Sequence, residues 1–385
     1  LEAAYPMADW LSTLKGQVPV ARTAIAARLT EGPTIYRGTL NPALLSPEEL
    51  AYLEYNKSRV WSVTQLELYA KCAFRFFAHD VLALREQATM EEGVGAMERG
   101  SALHEVLRQF LVSRRERNLA PLQDLPEAEL SGAYRDAKDI ADRYFQSNSK
   151  LHPFWRLDSE TILSDKRPGG SVLWKFIERE HQRKYELRPR FFEVSFGGSG
   201  KAAKSPIDSE VSTEEPAEIG GFKLRGKIDR IDSADDGTFA VIDYKSGKSS
   251  PGWNDIKRGQ SLQLPLYLRV AEDLLRTHVP PLKGIAALYH KILGTESERK
   301  LGLALSDYAG TAFEKIGQKG KGLITSKDEL SELIEETVTY AKSYVDGVAS
   351  GNFPLVQKSF VKACEHCPYG AVCRIEEAKE ADVLQ

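Results

Sequence analysis

Through the first half of the chain the apolar residues recur at helical spacing, and from Phe191 the period shortens to that of strands. Ser62-x-x-Gln65 fits a capping box and opens an amphipathic stretch through Leu66, Leu68, Tyr69, Cys72, Phe76 and Phe77. A helix is expected from about Val94 to Arg117, with Met97, Leu103, Val106, Leu107, Phe110 and Leu111 on one side. Residues 121–190 read as mostly helical, with a break at Pro168-Gly169-Gly170. Strands are expected at Phe191–Phe196, Phe222–Ile231 and Phe239–Tyr244, the last two joined by the hairpin signal Asp235-Asp236-Gly237. A helix from Ser261 to about Arg276, a strand at Ile285–Tyr289 and a helix from Ser326 to about Val348 complete the pattern. This order predicts an α/β core, a mixed sheet with helices on both sides. Residues 1–60 read as short helices and loops, such as the end of a preceding domain leaves. The Gly, Ser, Lys and Glu-rich residues 197–218 read as a flexible insertion.

Composition narrows the class without naming a chemistry. The 385 residues are 42% hydrophobic and 28% charged, ordinary for a globular chain of one large or two smaller domains. The formal net charge is −3, so contact with nucleic acid requires local basic patches. No apolar run approaches the roughly 20 residues of a membrane span. The 4 cysteines do not make a disulfide scaffold, and a reducing cytoplasm is expected. The chain opens on Leu1, as a piece of a longer protein or a chain freed of a tag would.

Two constellations carry chemistry. Cys72 stands alone, and Cys364, Cys367 and Cys373 follow far downstream as C-x2-C-x5-C. Between them, Asp243-Tyr244-Lys245 ends an apolar strand. Residues two apart in a strand share a face, so Asp243 and Lys245 project together while Ile242 and Tyr244 face away. Asp229 lies on the preceding strand, with Lys223, Arg225 and Lys227 on its face. Phosphodiester hydrolysis needs a metal, a nucleophilic water and an offset for charge on the phosphate. Carboxylates suit Mg²⁺, which prefers hard oxygen ligands. The same triplet form recurs at Asp136-Ala137-Lys138 in a helical pattern and at Asp255-Ile256-Lys257 in a loop, so context alone selects Asp243. The Gly197–Lys201 run imitates a phosphate-binding loop but lacks its first Gly and its final Ser/Thr.

Gly226-Lys-Ile-Asp229-Arg-Ile-Asp232, Val241-Ile-Asp243-Tyr-Lys245 and Gln263-Leu-Pro-Leu-Tyr267, preceded by Gly100-Ser-Ala-Leu-His104, together resemble the RecB-type branch of the PD-(D/E)XK nuclease superfamily. With the four cysteines, the chain is most similar to the nuclease domain that closes the AddB subunits of AddAB helicase–nucleases. The resemblance implies a restriction-endonuclease-like core (mixed β-sheet flanked by helices), a largely helical surround and a C-terminal Cys cluster. The domain would cover 61–375, after an N-terminal segment 1–60 and before a tail 376–385.

Carried over residue by residue, the resemblance implies His104, Asp229 and Asp243 as ligands of Mg²⁺ or Mn²⁺, with Lys245 as the catalytic lysine. It adds Gln263 and Tyr267 on one helix face of the cleft, and Glu193 as an outer support. Cys72, Cys364, Cys367 and Cys373 would hold a [4Fe–4S] cluster. Zinc is the rival there, but Cys₄ zinc sites usually pair two C-x2-C knuckles. His366 inside the trio is a competing ligand. The other histidines, His79, His152, His181, His278 and His290, read as structural. Arg108, Arg114 and Arg115 are candidate DNA contacts, against the alternative of a solvated helix end favoured by the dipole. The implied activity is single-strand exonucleolytic DNA cleavage in double-strand-break repair, within a helicase–nuclease and away from any membrane. The alternatives are a free-standing nuclease of CRISPR adaptation or phage defence, and a catalytically inactive DNA-binding scaffold.

Overall fold

The computed structural model describes residues 38–85, 95–148, 159–160, 171–183, 185–198, 206–247, 251–276, 281–292, 301–309, 311–312, 323–324, 326–355, 364 and 367–373. They fall into two compact units. One comprises 1–59, 64–87 and 342–385, and the other 60–63 and 88–341.

The first unit contains α1 (Pro47–Tyr55) and, beyond Arg59, most of α2 (Val63–Lys71) and all of α3 (Ala73–Phe76). Ser46 and Glu49 close a reciprocal capping box on α1, with Pro47 in the first turn, where its missing N–H costs nothing. The amphipathic stretch predicted after Ser62 is broken at Cys72. Its backbone is extended (φ −164°), and its Sγ accepts the Arg75 N–H at 3.4 Å, capping α3. Gln65 donates its side-chain amide to Asp80 at 3.0 Å. An aromatic cluster holds this unit together: Phe353 lies 4.8 Å from Phe77 and stacks on Phe76 at 6.4 Å. The buried Tyr69 hydroxyl donates to the Asn352 carbonyl, and burial pushes its pKa up to about 12.

The second unit is built on a mixed sheet of eight described strands: β1 (Val60–Ser62), β2 (Arg188–Phe196), β3 (Ala217–Ile219), β4 (Phe222–Ser233), β5 (Thr238–Lys245), β6 (Lys283–Lys291), β7 (Leu301–Leu305) and β8 (Leu323–Ile324). The order is β1-β4-β5-β6-β7-β8, with β2 and β3 pairing along β4 as well. β4 and β5 form the expected antiparallel hairpin, its turn tied by Asp236 Oδ1 accepting the Thr238 N–H at 2.9 Å. β5 and β6 are parallel and joined through α7 (Gln263–Leu275). β5 is central and buried on both faces, so its sequence is a continuous apolar run and Asp243 is conspicuous in it.

Helices α4 (Ala96–Glu116), α5 (Leu130–Asn148) and α6 (Val172–Gln182) pack a shared core with Phe192, Ile242 and Tyr244. Leu103, Val106, Leu107, Phe110 and Leu111 of α4 lie in it, as their spacing predicts. α8 (Lys327–Ala349) begins directly after Ser326, whose Oγ accepts the Glu329 N–H at 3.1 Å as the sequence pattern predicts.

Several expectations are revised. Residues 121–190 are less helical than read, since 3-10 turns at Leu122–Asp124 and Glu127–Glu129 precede α5, and β2 starts at Arg188. Within 197–218, Pro206–Val211 is helical and Ala217–Ile219 is a strand. Asp255-Ile256-Lys257 belongs to a short helix, Trp253–Lys257, rather than a loop. β1, β3, β7 and β8 have no counterpart in the sequence reading. They are two to five residues long, too short for periodicity to register. The break at 168–170, Lys201, His152, His278, His366 and residues 1–37 and 374–385 lie outside the described residues.

Candidate metal centre

The centre is assembled on β2, β4, β5, α4 and α7, all in the second unit. Phe192 pairs with Arg230 and Val194 with Ile228, so the register sets Glu193 opposite Asp229. His104 reaches the same point from α4, its Nδ1 3.4 Å from Asp229 Oδ2. One ligand atom from each of His104, Glu193 and Asp229 lies within 4.8 Å of the others, the only such group among the described residues. Glu193 has φ +53°, a left-handed conformation that costs a non-glycine residue about 1–2 kcal/mol. Such strain persists where the surroundings hold it, often at functional sites. The resemblance gave Glu193 only a supporting place, whereas the geometry puts its carboxylate among the donors. The signal in the sequence was a single acid inside the apolar run Phe191–Phe196.

A second group stands beside the first. Asp243 is buried, its Oδ2 2.6 Å from Lys245 Nζ. Gln263, the first residue of α7, bridges the pair: its Nε2 donates to Asp243 Oδ1 at 2.5 Å, and its Oε1 accepts from Lys245 at 2.8 Å. Lys245 Nζ also lies 4.8 Å from the centre of the Tyr289 ring. Tyr267, one turn after Gln263, is buried, and its hydroxyl is hydrogen-bonded by the Lys227 backbone and the Gln263 side chain. Gly226 makes this approach feasible, because a Cβ there would stand 2.7 Å from Phe196 and 2.9 Å from the Tyr267 hydroxyl. The two groups are joined through the backbone, where the Tyr244 N–H donates to Asp229 Oδ2 at 2.9 Å.

The electrostatics are those of a crowded acidic site. Burial pushes Asp243 up to about 7, helped by the Asp229 charge and opposed by Lys245. Burial also raises Glu193, again with Asp229 adding and the paired Lys227 opposing. For Asp229, burial is outweighed by the His104 hydrogen bond and charge and by the Tyr244 N–H, and its pKa is lowered. Burial would lower His104, but Asp229, Asp243 and Glu193 together raise it. In addition, Asp243 Oδ2 is buried and lacks a hydrogen bond of good geometry. Hard carboxylate oxygens, an imidazole nitrogen and one under-satisfied buried oxygen fit a divalent cation, which would relieve the repulsion raising Asp243 and Glu193.

On the opposite side of β4 and β5, Arg230 is fully buried. It donates to Tyr244 Oη at 2.9 Å and to Glu180 at 2.8 Å, and chelates Asp232. Arg183 completes the cluster, donating to Glu180 at 3.0 Å and to Asp232 at 3.1 Å. Burial drives the neighbouring His290 down to about 3, so it is neutral at pH 7. His79 contacts Asp80, and His181 faces the Leu122 carbonyl.

The basic run on α4 is engaged within the fold. Arg108 is chelated by Glu105 at 2.8 and 2.9 Å. Arg114 is buried and donates to the Ala120 carbonyl at 2.6 Å. Arg115 is chelated by Asp208 at 2.7 and 2.8 Å.

The four cysteines belong to the first unit and none is in a disulfide. Burial raises the Cys72 thiol, and Cys367 and Cys364 are close enough to raise it further. Cys364 accepts the Cys367 N–H on its carbonyl at 3.1 Å. The four soft donors gathered in one unit fit a thiolate-bound metal group in kind.

Comparison with known proteins agrees with this geometry. The family profile of the PD-(D/E)XK nuclease superfamily matches residues 60–374. Among curated relatives, the B subunit of an ATP-dependent helicase/deoxyribonuclease from Moorella thermoacetica is 27% identical over 89% of this chain and 32% of its own length. The protein of the same name from Symbiobacterium thermophilum is 29% identical over 86% of this chain and 31% of its own length. That from Desulfitobacterium hafniense is 30% identical over 58% of this chain and 18% of its own length. The chain thus spans at most about a third of the length of these relatives. No described helix is long and apolar enough to cross a membrane.

Proposed function

The chain belongs to the PD-(D/E)XK nuclease superfamily, and we propose that it hydrolyses phosphodiester bonds of single-stranded DNA with Mg²⁺ or Mn²⁺. The observation that carries this is the convergence of His104, Glu193 and Asp229 within 4.8 Å, beside the linked Asp243, Lys245 and Gln263. His104, Asp229 and Asp243, joined by Glu193, would hold the cation. Bound there, it would acidify a water and offset charge on the phosphate. Lys245 is the cationic group for the attacked phosphate or its water, oriented by Asp243 and Gln263. Gln263 keeps Asp243 and Lys245 in register, and Tyr267 presents its hydroxyl to the cleft. Arg114 and Arg115 are left out of the DNA surface in this reading, because burial and Asp208 already occupy them.

The relatives' names support a place in an ATP-dependent helicase–nuclease, with a partner subunit and a role in double-strand-break repair in the cytoplasm. Cys72, Cys364, Cys367 and Cys373 would hold a [4Fe–4S] cluster whose role is structural, since it shares no residue with the metal centre. The test is cleavage of end-labelled single- and double-stranded DNA by the purified chain. Single strands are expected to be cut with Mg²⁺ or Mn²⁺, and not with EDTA or by Asp243→Ala. Cleavage that persists in EDTA, or at wild-type rate in Asp243→Ala, would overturn the assignment.

A further inference from the structure

Building on the nuclease reading, we propose that the outward face of the first half of β4, formed by Lys223, Arg225 and Lys227, is a track for the phosphates of one DNA strand leading to the metal centre. These three residues are exposed, while Phe222, Leu224, Gly226 and Ile228 between them are buried. The next residue in the same alternation is Asp229. Residues two apart in a strand are separated by about 6.6–6.8 Å, close to the step between successive phosphates on an extended nucleic-acid strand. Lys227 pairs with Glu193, so the inner end of the row touches the metal-binding group itself.

A solvated strand face is the plain alternative, and three observations weigh against it. Charges on strands commonly guard an edge against stray pairing. This half of β4 is no edge, because β1 pairs with it on one side and β3 on the other. The row is also basic in a chain of formal charge −3, so it is a local concentration. Its charges are largely unspent as well. Arg225 makes no ion pair among the described residues, and Lys223 has only an exposed contact with Glu218 at 3.9 Å, worth little. Gly197, at φ +72°, keeps the space beside Arg225 clear, since a Cβ there would stand 2.6 Å from the Arg225 Cβ. A single line of charges along one strand suits one nucleic-acid strand better than a duplex, whose phosphates diverge across the grooves.

The test uses Lys223→Gln/Arg225→Gln in the full chain, leaving Lys227 to hold Glu193. Binding of a fluorescent 20-nucleotide single strand is measured in EDTA across a salt series. Cleavage with Mg²⁺ is measured on that strand and on bis(p-nitrophenyl) phosphate, which is too short to reach the row. The expected result is a slope of log affinity against log salt shallower by about 1.4, from roughly 0.7 per lost phosphate contact on single strands. kcat/KM on the 20-mer should fall about tenfold, with the small ester unaffected. An unchanged salt slope, or equal losses on both substrates, would overturn the track. If wild type cleaves DNA and the slope does not move, the track fails and the nuclease reading stands. If wild type cleaves nothing but the slope shifts, the nuclease reading fails and the track stands.

Discussion

At the scale of single residues, the centre is governed by a few carboxylates forced together. Asp243, pushed up to about 7, differs from an unfolded aspartate near 3.9. The folded, metal-free protein therefore holds this proton more tightly than the unfolded chain. The stability it contributes is full below about pH 4 and is lost as pH rises through about 7. A cation must displace the same proton. Apparent Mn²⁺ affinity, followed by calorimetry, should rise with pH and level off above about 7, with proton release on binding at pH 6. Glu193→Gln keeps the shape of the side chain and removes its charge. It should weaken Mn²⁺ binding about 10–100-fold, the range for disturbed metal-site partners. Unchanged affinity would return Glu193 to a supporting place. Lys245→Ala should lower cleavage by roughly 10²–10⁴-fold, as the loss of a group acting on proton or charge does, while far-UV circular dichroism stays the same.

At the scale of elements, β4 and β5 carry the chemistry on one face and a buried ion cluster on the other. Arg230 follows Asp229, and Tyr244 follows Asp243, so the Arg230–Tyr244 hydrogen bond ties the two strands behind the carboxylates. Arg230→Met would leave Glu180 and Asp232 buried with Arg183 as their remaining close cation. Breaking one side of such a cluster costs about 3–5 kcal/mol, so urea unfolding should show a large drop in midpoint. Replacing Glu180, Arg230 and Asp232 together by apolar residues should recover much of the loss. Gly226→Ala places a methyl group against Phe196 and the Tyr267 hydroxyl. It should cost about 1–3 kcal/mol by overpacking and reduce activity by displacing Tyr267.

At the scale of the whole molecule, the sequence positions of the cysteines matter more than their neighbours. Cys72 precedes nearly all of the nuclease core and Cys364 follows it. Joining points so far apart along a chain removes on the order of 5 kcal/mol of loop entropy from the unfolded state in the chain-entropy model. That compares with a typical net stability of roughly 5–15 kcal/mol. Protein purified without air should contain about four irons per chain if all four thiols ligate a [4Fe–4S] cluster. Cys364→Ala should be colourless and melt at lower temperature. Stoichiometric zinc without iron would replace the cluster but keep the staple, and a stable, metal-free Cys364→Ala protein would remove both.

Local physics made much of this protein readable without coordinates. Long amphipathic helices such as α4 and α8, the β4–β5 hairpin and the shared face of Asp243 and Lys245 all follow from periods of 3.6 and 2 and from a turn signal. The four-residue spacing of Gln263 and Tyr267 belongs with them. Other features depend on residues distant in sequence meeting across the fold. The short strands β1, β3, β7 and β8 exist because longer strands offer them partners. Glu193 joins His104 and Asp229 through the β2–β4 register and a strained backbone angle, neither of which a run of residues displays. Arg114 and Arg115 read as a basic helix end, yet Ala120 and Asp208 hold them. Composition determines which groups the chain owns. Which of them are buried, paired or left to meet a ligand is a matter of desolvation and distance, and only the tertiary structure decides it.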